Sequence, residues 1–144
     1  GDADRRSRGR IETLKGMPMR LAHVALWTPD LDVAAAFWSR YFDVEVGNVY
    51  ESRNRPGFRS RFARLPDGGA IELMTGPWVE PAAQIERTGW DHVAVSLGSA
   101  AAVDALAARC KADRCLVSGP RWTGDGFYEA VIAAPDGTRV EITA

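Results

Sequence analysis

The chain has 144 residues, of which 46% are hydrophobic, and its formal net charge at pH 7 is -1. This length and composition predict one globular domain that is able to bury a core. The near-neutral charge offers no long-range field to attract nucleic acid or an acidic membrane surface, and no apolar run is long enough to span a bilayer. We therefore expect a small-molecule substrate as the partner, no nucleic acid, no membrane, and a cytoplasmic location.

The chain begins with a polar, arginine-rich segment, residues 1–19, which we interpret as an arm outside the domain, solvated or lying on an interface in preference to binding nucleic acid. A predicted strand over residues 21–27 follows and carries His23. Thr28 and Pro29 then provide an N-cap and a proline at the first helical position. The core face of this predicted helix carries Ala34, Phe37, Trp38 and Tyr41.

Three short strands are predicted after the helix, near residues 43–50, 58–65 and 70–75, and the last of them carries Glu72. The turn sequence Pro66-Asp67-Gly68-Gly69 joins the last two strands. Residues 20–75 are therefore predicted to form a βαβββ module. A linker over residues 76–88, with Trp78 between two prolines, follows the module.

The second half of the chain repeats the first, without a gap, when the sequence is shifted by 69 residues. His23 then meets His92, and Glu72 meets Glu141. Residues 89–144 predict a second βαβββ module, with strands near 115–121, 127–134 and 138–143 and a helix core face of Val103, Leu106, Ala107 and Cys110. Two copies of one unit predict a paired α+β fold, a cup-shaped and partly open β-barrel with pseudo-twofold symmetry.

The two histidines and the two strand glutamates are the candidate functional residues. Taken one at a time, each is more typical of a structural residue, but all four fall on one translation of the sequence. Two carboxylates inside a cup repel each other unless a cation compensates them. Imidazole and carboxylate ligands suit Zn²⁺, Ni²⁺, Co²⁺, Fe²⁺ or Mn²⁺ and leave two positions of an octahedral ion for a bidentate substrate. We therefore predict a divalent metal site formed by His23, Glu72, His92 and Glu141.

With these residues identified, the chain resembles the vicinal oxygen chelate superfamily, which includes glyoxalase I, extradiol dioxygenases, and the fosfomycin and bleomycin resistance proteins. The resemblance covers residues 20–144 as a single domain and rests on the strand histidines, the strand glutamates and the repeated Pro-Asp-Gly turn. It is closest to bacterial glyoxalase I-like, or lactoylglutathione lyase-like, proteins in the stretch from IELMTGPW to GWDHVAVSL. The resemblance implies the paired βαβββ fold and a homodimer.

The order His, Glu, His, Glu resembles the ligand set of glyoxalase I, and histidine as the first ligand resembles the bacterial enzymes that favour Ni²⁺ or Co²⁺. The resemblance implies a metal-dependent lyase or isomerase that binds a small oxygen-chelating carbonyl substrate and moves a proton through an enediolate. It implies that Glu141 is the catalytic base and Glu72 its symmetric counterpart. His23 and His92 would be ligands only.

Two positions depart from the glyoxalase I pattern, in which an arginine four residues after the first ligand and an asparagine four residues after the second contact glutathione. In this chain those positions hold Trp27 and Gly76. The departure makes glutathione dependence doubtful and leaves the substrate open.

Several residues outside the four ligands are candidates for contacting the substrate. Five arginines lie within residues 53–64 around a proline-glycine bend, a pattern that fits a solvated hairpin with basic edges as well as an anion site. Arg53 and Arg55 are the arginines nearest the bend. Three aromatic residues fit either a lid over the cup or packing in the core or at an interface: Trp78, Trp122 and Phe127.

Two alternative functions stay open at this point. An Fe²⁺-dependent extradiol-type dioxygenase would have one glutamate ligand too many. An antibiotic- or metabolite-binding resistance protein would hold its ligand in an aromatic-lined cavity without a metal. The sequence also leaves open whether the site is completed within one chain or by a module of a second chain.

Overall fold

The computed structural model of the chain describes residues 19–82 and 86–144. The predicted N-terminal arm lies outside the described residues except for Met19, its last residue. Within the described part of the chain, no helix is both long enough and apolar enough to cross a membrane.

Two βαβββ modules follow each other along the chain, as predicted. The first consists of β1 (His23–Trp27), α1 (Leu31–Phe42), β2 (Tyr50–Glu51), β3 (Arg59–Arg64) and β4 (Ala70–Thr75). The second consists of β5 (His92–Ser96), α2 (Ala100–Ala112), β6 (Leu116–Trp122), β7 (Tyr128–Ala133) and β8 (Arg139–Thr143). The predicted α+β class is confirmed.

Each module builds its own mixed four-stranded sheet. The strand orders are β1-β4-β3-β2 and β5-β8-β7-β6, and the first pair in each order is parallel. The register also repeats, because Ala25 lies opposite Glu72 in one module and Ala94 lies opposite Glu141 in the other. In the described residues the two sheets are separate, so the predicted cup is not a closed barrel.

Helix α1 begins three residues later than the proposed N-cap at Thr28. Its N-cap is Asp30, whose Oδ1 accepts hydrogen bonds from the backbone N–H groups of Asp32, at 3.0 Å, and Val33, at 3.1 Å. Thr28 instead extends the contact with β4, because its N–H donates to the Met74 carbonyl at 2.8 Å. Asp30 therefore caps the helix, because its carboxylate accepts from two backbone N–H groups that have no partner within the helix.

The predicted strand over residues 43–50 is largely absent. Strand β2 covers only Tyr50–Glu51, and Val46 forms a single bridge with Ala63 of β3. Helix α1 ends at Phe42, and its C-cap, Asp43, has a left-handed conformation with φ of 51°. The side chain of Arg61 then donates to the Gly47 carbonyl at 2.8 Å. A side chain thus takes up a backbone acceptor that a strand partner would otherwise use.

The core lies between each helix and one face of its sheet. The side chains of Trp38 and Val103 are 1% and 0% exposed, and both belong to the predicted helix faces. The facing strand residues, Leu73 and Ile142, are fully buried. Burial of each such side chain contributes about 1.5–3 kcal/mol to folding. With the helices on one side, the other face of each sheet stays open.

The two modules contact each other through the C-terminal ends of their helices. The carboxylate Oδ2 of Asp113 accepts from the Tyr41 hydroxyl at 2.8 Å and lies 3.2 Å from Nη2 of Arg40. The guanidinium of Arg109 donates to the Arg40 carbonyl at 2.8 Å. These bonds join the C-terminal end of α1 to that of α2.

Candidate metal-binding site

His23 lies on the open face of the first sheet. Along β1, Val24 and Leu26 pack against the core, so His23 and Trp27 point to the opposite side. Glu72 shares this open face, because it lies at the level of Ala25 in the parallel pair of β1 and β4. The same alternation in β5 and β8 puts His92 and Glu141 on the open face of the second sheet.

The first module brings His23 and Glu72 together. Nε2 of His23 lies 3.6 Å from Oε1 of Glu72, and the two side chains are 47% and 17% exposed. Phe62, which is opposite Glu72 on β3, places its ring edge-on to the imidazole, with 5.6 Å between the ring centroids. Glu72 is therefore a partly buried carboxylate with an oriented imidazole beside it.

The second module brings His92 and Glu141 together in the same way and adds a third group. Nε2 of His92 lies 3.2 Å from Oε2 of Glu141, and Nδ1 lies 2.8 Å from Oδ2 of Asp91. The hydrogen bond from His92 holds the pKa of Asp91 below its usual value. A carboxylate on Nδ1 keeps the proton on that nitrogen in the neutral ring, so Nε2 is free to bind a metal ion.

A further carboxyl group, that of Glu129, lies next to the second pair. Its pKa is raised to about 7, first by a hydrogen bond between its side chain and that of Glu141, and then by burial and by the charge of Glu141. In the first module the matching position is occupied by Ser60, which is buried. The second half of the candidate site is therefore the more acidic one.

The two pairs stay apart within one chain. Across residues 19–82 and 86–144, no group of three or more His, Cys, Asp or Glu side chains is close enough to hold a metal ion. The four predicted ligands are thus arranged as two pairs, each with one imidazole and one carboxylate. These donor types fit a divalent ion, but each pair offers only two donors. The four-ligand metal site stays a prediction.

The candidate substrate residues Arg55 and Trp78 meet at one end of the first sheet. Trp27, Phe58 and Trp78 form a cluster that we call the aromatic cage, in which the Trp27 ring centroid is 6.0 Å from each of the other two. The guanidinium carbon of Arg55 is 4.1 Å from the ring centroid of Trp78, 5.5 Å from that of Trp27 and 5.9 Å from that of Phe58. Arg53 is exposed and is not part of the cage.

A cleft of about 430 Å³ lies beside the aromatic cage. Its walls include Gly57, Gly76 and Pro77 from the segments that carry the cage, together with Asp30 at the start of α1. None of the four predicted metal ligands lines this cleft. This cleft is therefore separate from the predicted metal ligands.

The other two aromatic candidates lie at the far end of the second sheet. Trp122 pairs with Tyr128 on the helix-bearing face, with 5.2 Å between the ring centroids, and Tyr128 hydrogen bonds Asp104 of α2. Phe127 is exposed in the turn between β6 and β7. A role for Trp122 and Phe127 in substrate contact stays a prediction.

Asp91, Glu129 and Phe58 belong to these arrangements and were not named among the candidates from the sequence. In the repeat, Asp91 falls on Ala22, Glu129 falls on Ser60, and Phe58 matches Phe127. Most aligned positions of the two halves differ, so neither a mismatch nor a match distinguished these residues in the sequence.

The chain belongs to the Glyoxalase/Bleomycin resistance protein/Dioxygenase superfamily, whose family model matches residues 20–142. Among individual proteins, it is 32% identical over 108 residues to the uncharacterized protein PA2024 of Pseudomonas aeruginosa, covering 73% of each chain. The family itself is established by the match of the family model.

Solved structures show the same fold at lower identity. A glyoxylase/bleomycin resistance protein/dioxygenase domain from Frankia sp. has a TM-score of 0.76 at 18% identity, covering 88% of this chain and 97% of that one. The trypanothione-dependent glyoxalase I of Leishmania major has a TM-score of 0.69 at 18% identity, with 88% and 86% covered. A mutant of the fosfomycin resistance protein FosX of Listeria monocytogenes, complexed with Mn(II) and a dihydroxypropylphosphonic acid, has a TM-score of 0.66 at 21% identity, with 89% and 91% covered.

Proposed function

We propose that the protein is a metal-dependent lyase or isomerase of the glyoxalase I type, acting on a carbonyl compound that chelates the metal through two oxygens. The metal would be divalent, with Ni²⁺ or Co²⁺ favoured. The observation that carries the proposal is the repeated pairing of an imidazole with a carboxylate: His23 with Glu72 at 3.6 Å, and His92 with Glu141 at 3.2 Å. Membership of a superfamily that includes a Mn(II)-bound protein supports it.

A second copy of the chain would complete the site. In a twofold dimer, any contact from the first module of one chain to the second module of its partner is repeated with the roles exchanged. If the pair of His23 and Glu72 faces the partner's pair of histidine and glutamate, two equivalent sites form, each with four donors. The open, unpaired sheet faces of the single chain support this arrangement.

The residues of the site would divide the chemical work between them. A bound divalent ion would polarise the substrate carbonyl and make the adjacent C–H more acidic. Glu141 would take that proton on a carboxylate oxygen and return it to the neighbouring carbon. His92 would be held in place by Asp91, whose Oδ2 lies 2.8 Å from Nδ1. The side chains of Glu72 and Glu141 are 17% and 19% exposed, so most of each side chain is away from water.

Elemental analysis of the purified protein tests the proposal most directly. We expect close to one divalent ion per chain, and loss of the ion in His92→Ala and in Glu141→Ala. Glu80→Gln removes an exposed carboxylate of the linker and should retain the ion. A protein that binds no divalent ion would instead be assigned to metal-free ligand binding, as in resistance relatives.

Activity assays then separate the chemistry from the metal. We expect the metal-loaded protein to convert 2-oxoaldehydes, offered as methylglyoxal with several thiols, and Glu141→Gln to lose turnover. Turnover that requires glutathione would contradict the inference drawn from Trp27 and Gly76. Oxygen consumption with catechols would favour the dioxygenase alternative.

A further inference from the structure

We propose that Arg55, held in the aromatic cage, binds an anionic group of the substrate that is separate from the oxygens bound to the metal. The group would be a carboxylate, a phosphate or a phosphonate, all of which present two or more oxygens to a guanidinium. The metal end of this substrate rests on the proposed function, whereas the Arg55 end rests on the cage alone.

The cage holds the guanidinium between aromatic rings. Its carbon lies within 6 Å of all three ring centroids, and the shortest distance, 4.1 Å, is to Trp78. A cation at such distances is attracted by the ring faces. The N–H groups of a guanidinium lie along the edges of its plane, so a guanidinium over a ring face can still donate to a carboxylate or phosphate. The arginine is therefore preorganised and remains able to bind an anion.

The loop that carries Arg55 is closed by its own hydrogen bonds. The Arg55 N–H donates to the Ser52 hydroxyl at 3.0 Å, and the Phe58 N–H donates to the Arg55 carbonyl at 3.0 Å. The Ser52 N–H donates to the Phe58 carbonyl at 3.1 Å. The backbone of Arg55 is thereby fixed next to Phe58, a member of the cage.

Two glycines allow the linker to close the other side of the cage. A Cβ atom at Gly76 would lie 2.3 Å from Cζ2 of Trp78, and a Cβ atom at Gly57 would lie 2.9 Å from Cδ of Pro77. Atoms cannot approach so closely, so the Trp78 ring can occupy this place only because position 76 has no side chain. The linker is thus packed onto the loop of Arg55.

Arg55 differs from its neighbour Arg61 in what its side chain binds. Arg61 donates to the Gly47 carbonyl at 2.8 Å and lies 3.5 Å from Oδ1 of Asp32, so its guanidinium is engaged within the protein. In residues 19–82 and 86–144, the guanidinium of Arg55 forms no ion pair and no hydrogen bond with another residue. Its donors are available to a ligand.

The distance from the aromatic cage to the predicted metal ligands sets the length of the substrate that can reach both. Trp27 lies on the same open face as His23, four residues further along β1, which is about 13 Å in a strand. Ala25 is the partner of Glu72, and Trp27 is two residues further along the strand, a distance of about 7 Å. A substrate that reaches both ends must be extended, with its anionic group roughly 10 Å from its chelating oxygens. A three-carbon oxoaldehyde alone would not reach the cage.

A pair of matched hydroxamates tests this inference on the full, Ni²⁺-loaded protein. Suberic monohydroxamic acid carries a metal-chelating hydroxamate and a carboxylate at opposite ends, and octanohydroxamic acid has the same length with a methyl group in place of the carboxylate. We expect calorimetric titration to give about tenfold tighter binding of the carboxylate compound.

Substitutions in the loop that carries Arg55 test whether this residue causes the preference for the hydroxamate with a carboxylate. Arg55→Met should abolish the preference and leave the affinity for octanohydroxamic acid unchanged, while Arg55→Lys should retain part of it. Arg53→Met removes the same charge from the same loop and should retain the full preference. An equal preference in wild type and Arg55→Met, or no preference in wild type, would overturn the inference.

Failure of the metal site would be recognised separately, because neither hydroxamate would then bind. The cage is in that case tested on metal-free protein by tryptophan fluorescence during titration with inorganic phosphate, against sodium chloride at equal ionic strength. We expect a saturable change in wild type that Arg55→Met lacks. An equal response in both proteins, or a stronger response to choline than to phosphate, would exclude an anion site at Arg55.

Discussion

His92 and Asp91 are joined by a hydrogen bond of 2.8 Å between Nδ1 and Oδ2, and this contact has no counterpart in the first module, where Ala22 takes the place of the aspartate. The two pairs of histidine and glutamate therefore have the same strand register, but only the histidine of the second pair has a carboxylate hydrogen bonded to its Nδ1. A carboxylate behind the imidazole orients a ligand and makes Nε2 more basic. We expect His92 to be the more tightly held of the two histidine ligands.

The Asp91→Asn variant should bind the metal about tenfold more weakly than wild type, because the amide orients the imidazole without raising its basicity. Competition with a fluorescent metal chelator measures this affinity. Glu80→Gln provides the control for loss of one negative charge at the surface. Equal affinities in wild type and Asp91→Asn would show that the contact does not support a ligand.

Mixing two inactive variants should restore metal binding if each site is shared between chains. In a twofold dimer, His23→Ala removes a ligand from both sites, and so does His92→Ala. A mixed dimer of the two variants has one site with both substitutions and one intact site. After subunit exchange, statistical mixing should restore about one quarter of the wild-type metal content. A metal content that stays at the level of the unmixed variants would show that each site belongs to a single chain.

The Gly76→Ala substitution should displace Trp78 from the aromatic cage. The new Cβ atom would lie 2.3 Å from Cζ2 and 2.5 Å from Cε2 of that ring. Because Trp78 is at the surface and is able to move, we expect a loss of only about 1 kcal/mol in the free energy of unfolding, with a red shift of tryptophan fluorescence. Gly124→Ala is the matched control, since a Cβ atom at Gly124 meets no other atom within 4 Å. An unchanged spectrum in Gly76→Ala would contradict the packing described for the cage.

The stability of the metal-free protein should fall as the pH rises from about 5 to 8. The pKa of Glu129 is raised to about 7 in the folded protein, chiefly by its hydrogen bond with Glu141, from an ordinary value of 4.5. Between these two values the folded state binds a proton that the unfolded state has lost, so stability decreases with rising pH. Glu129→Gln keeps a hydrogen-bond donor without the titration and should flatten the dependence. Thermal unfolding at a series of pH values measures it, and parallel curves for the two proteins would contradict the assignment.

Much of the fold could be read from periodicity and from the internal repeat. The helix faces around Trp38 and Val103 are buried as predicted, because the spacing of apolar residues on a helix is a local property. The prediction of a strand over residues 43–50 was largely wrong, because a contact with a distant part of the chain determines the backbone there. The backbone there meets the side chain of Arg61, and such a contact is set by the packing of β3 against the end of α1.

The sequence by itself determined that the domain is duplicated and that each half places one histidine and one glutamate on the same sheet face. Strand alternation and a constant offset between the two halves are sufficient for that conclusion. Only the tertiary structure decided that the four donors stand as two separate pairs and that the Arg55 guanidinium lies near the rings of Trp27, Phe58 and Trp78. Such distances depend on how the modules pack through α1 and α2 and how the linker folds back, and these contacts join residues that are far apart in the chain.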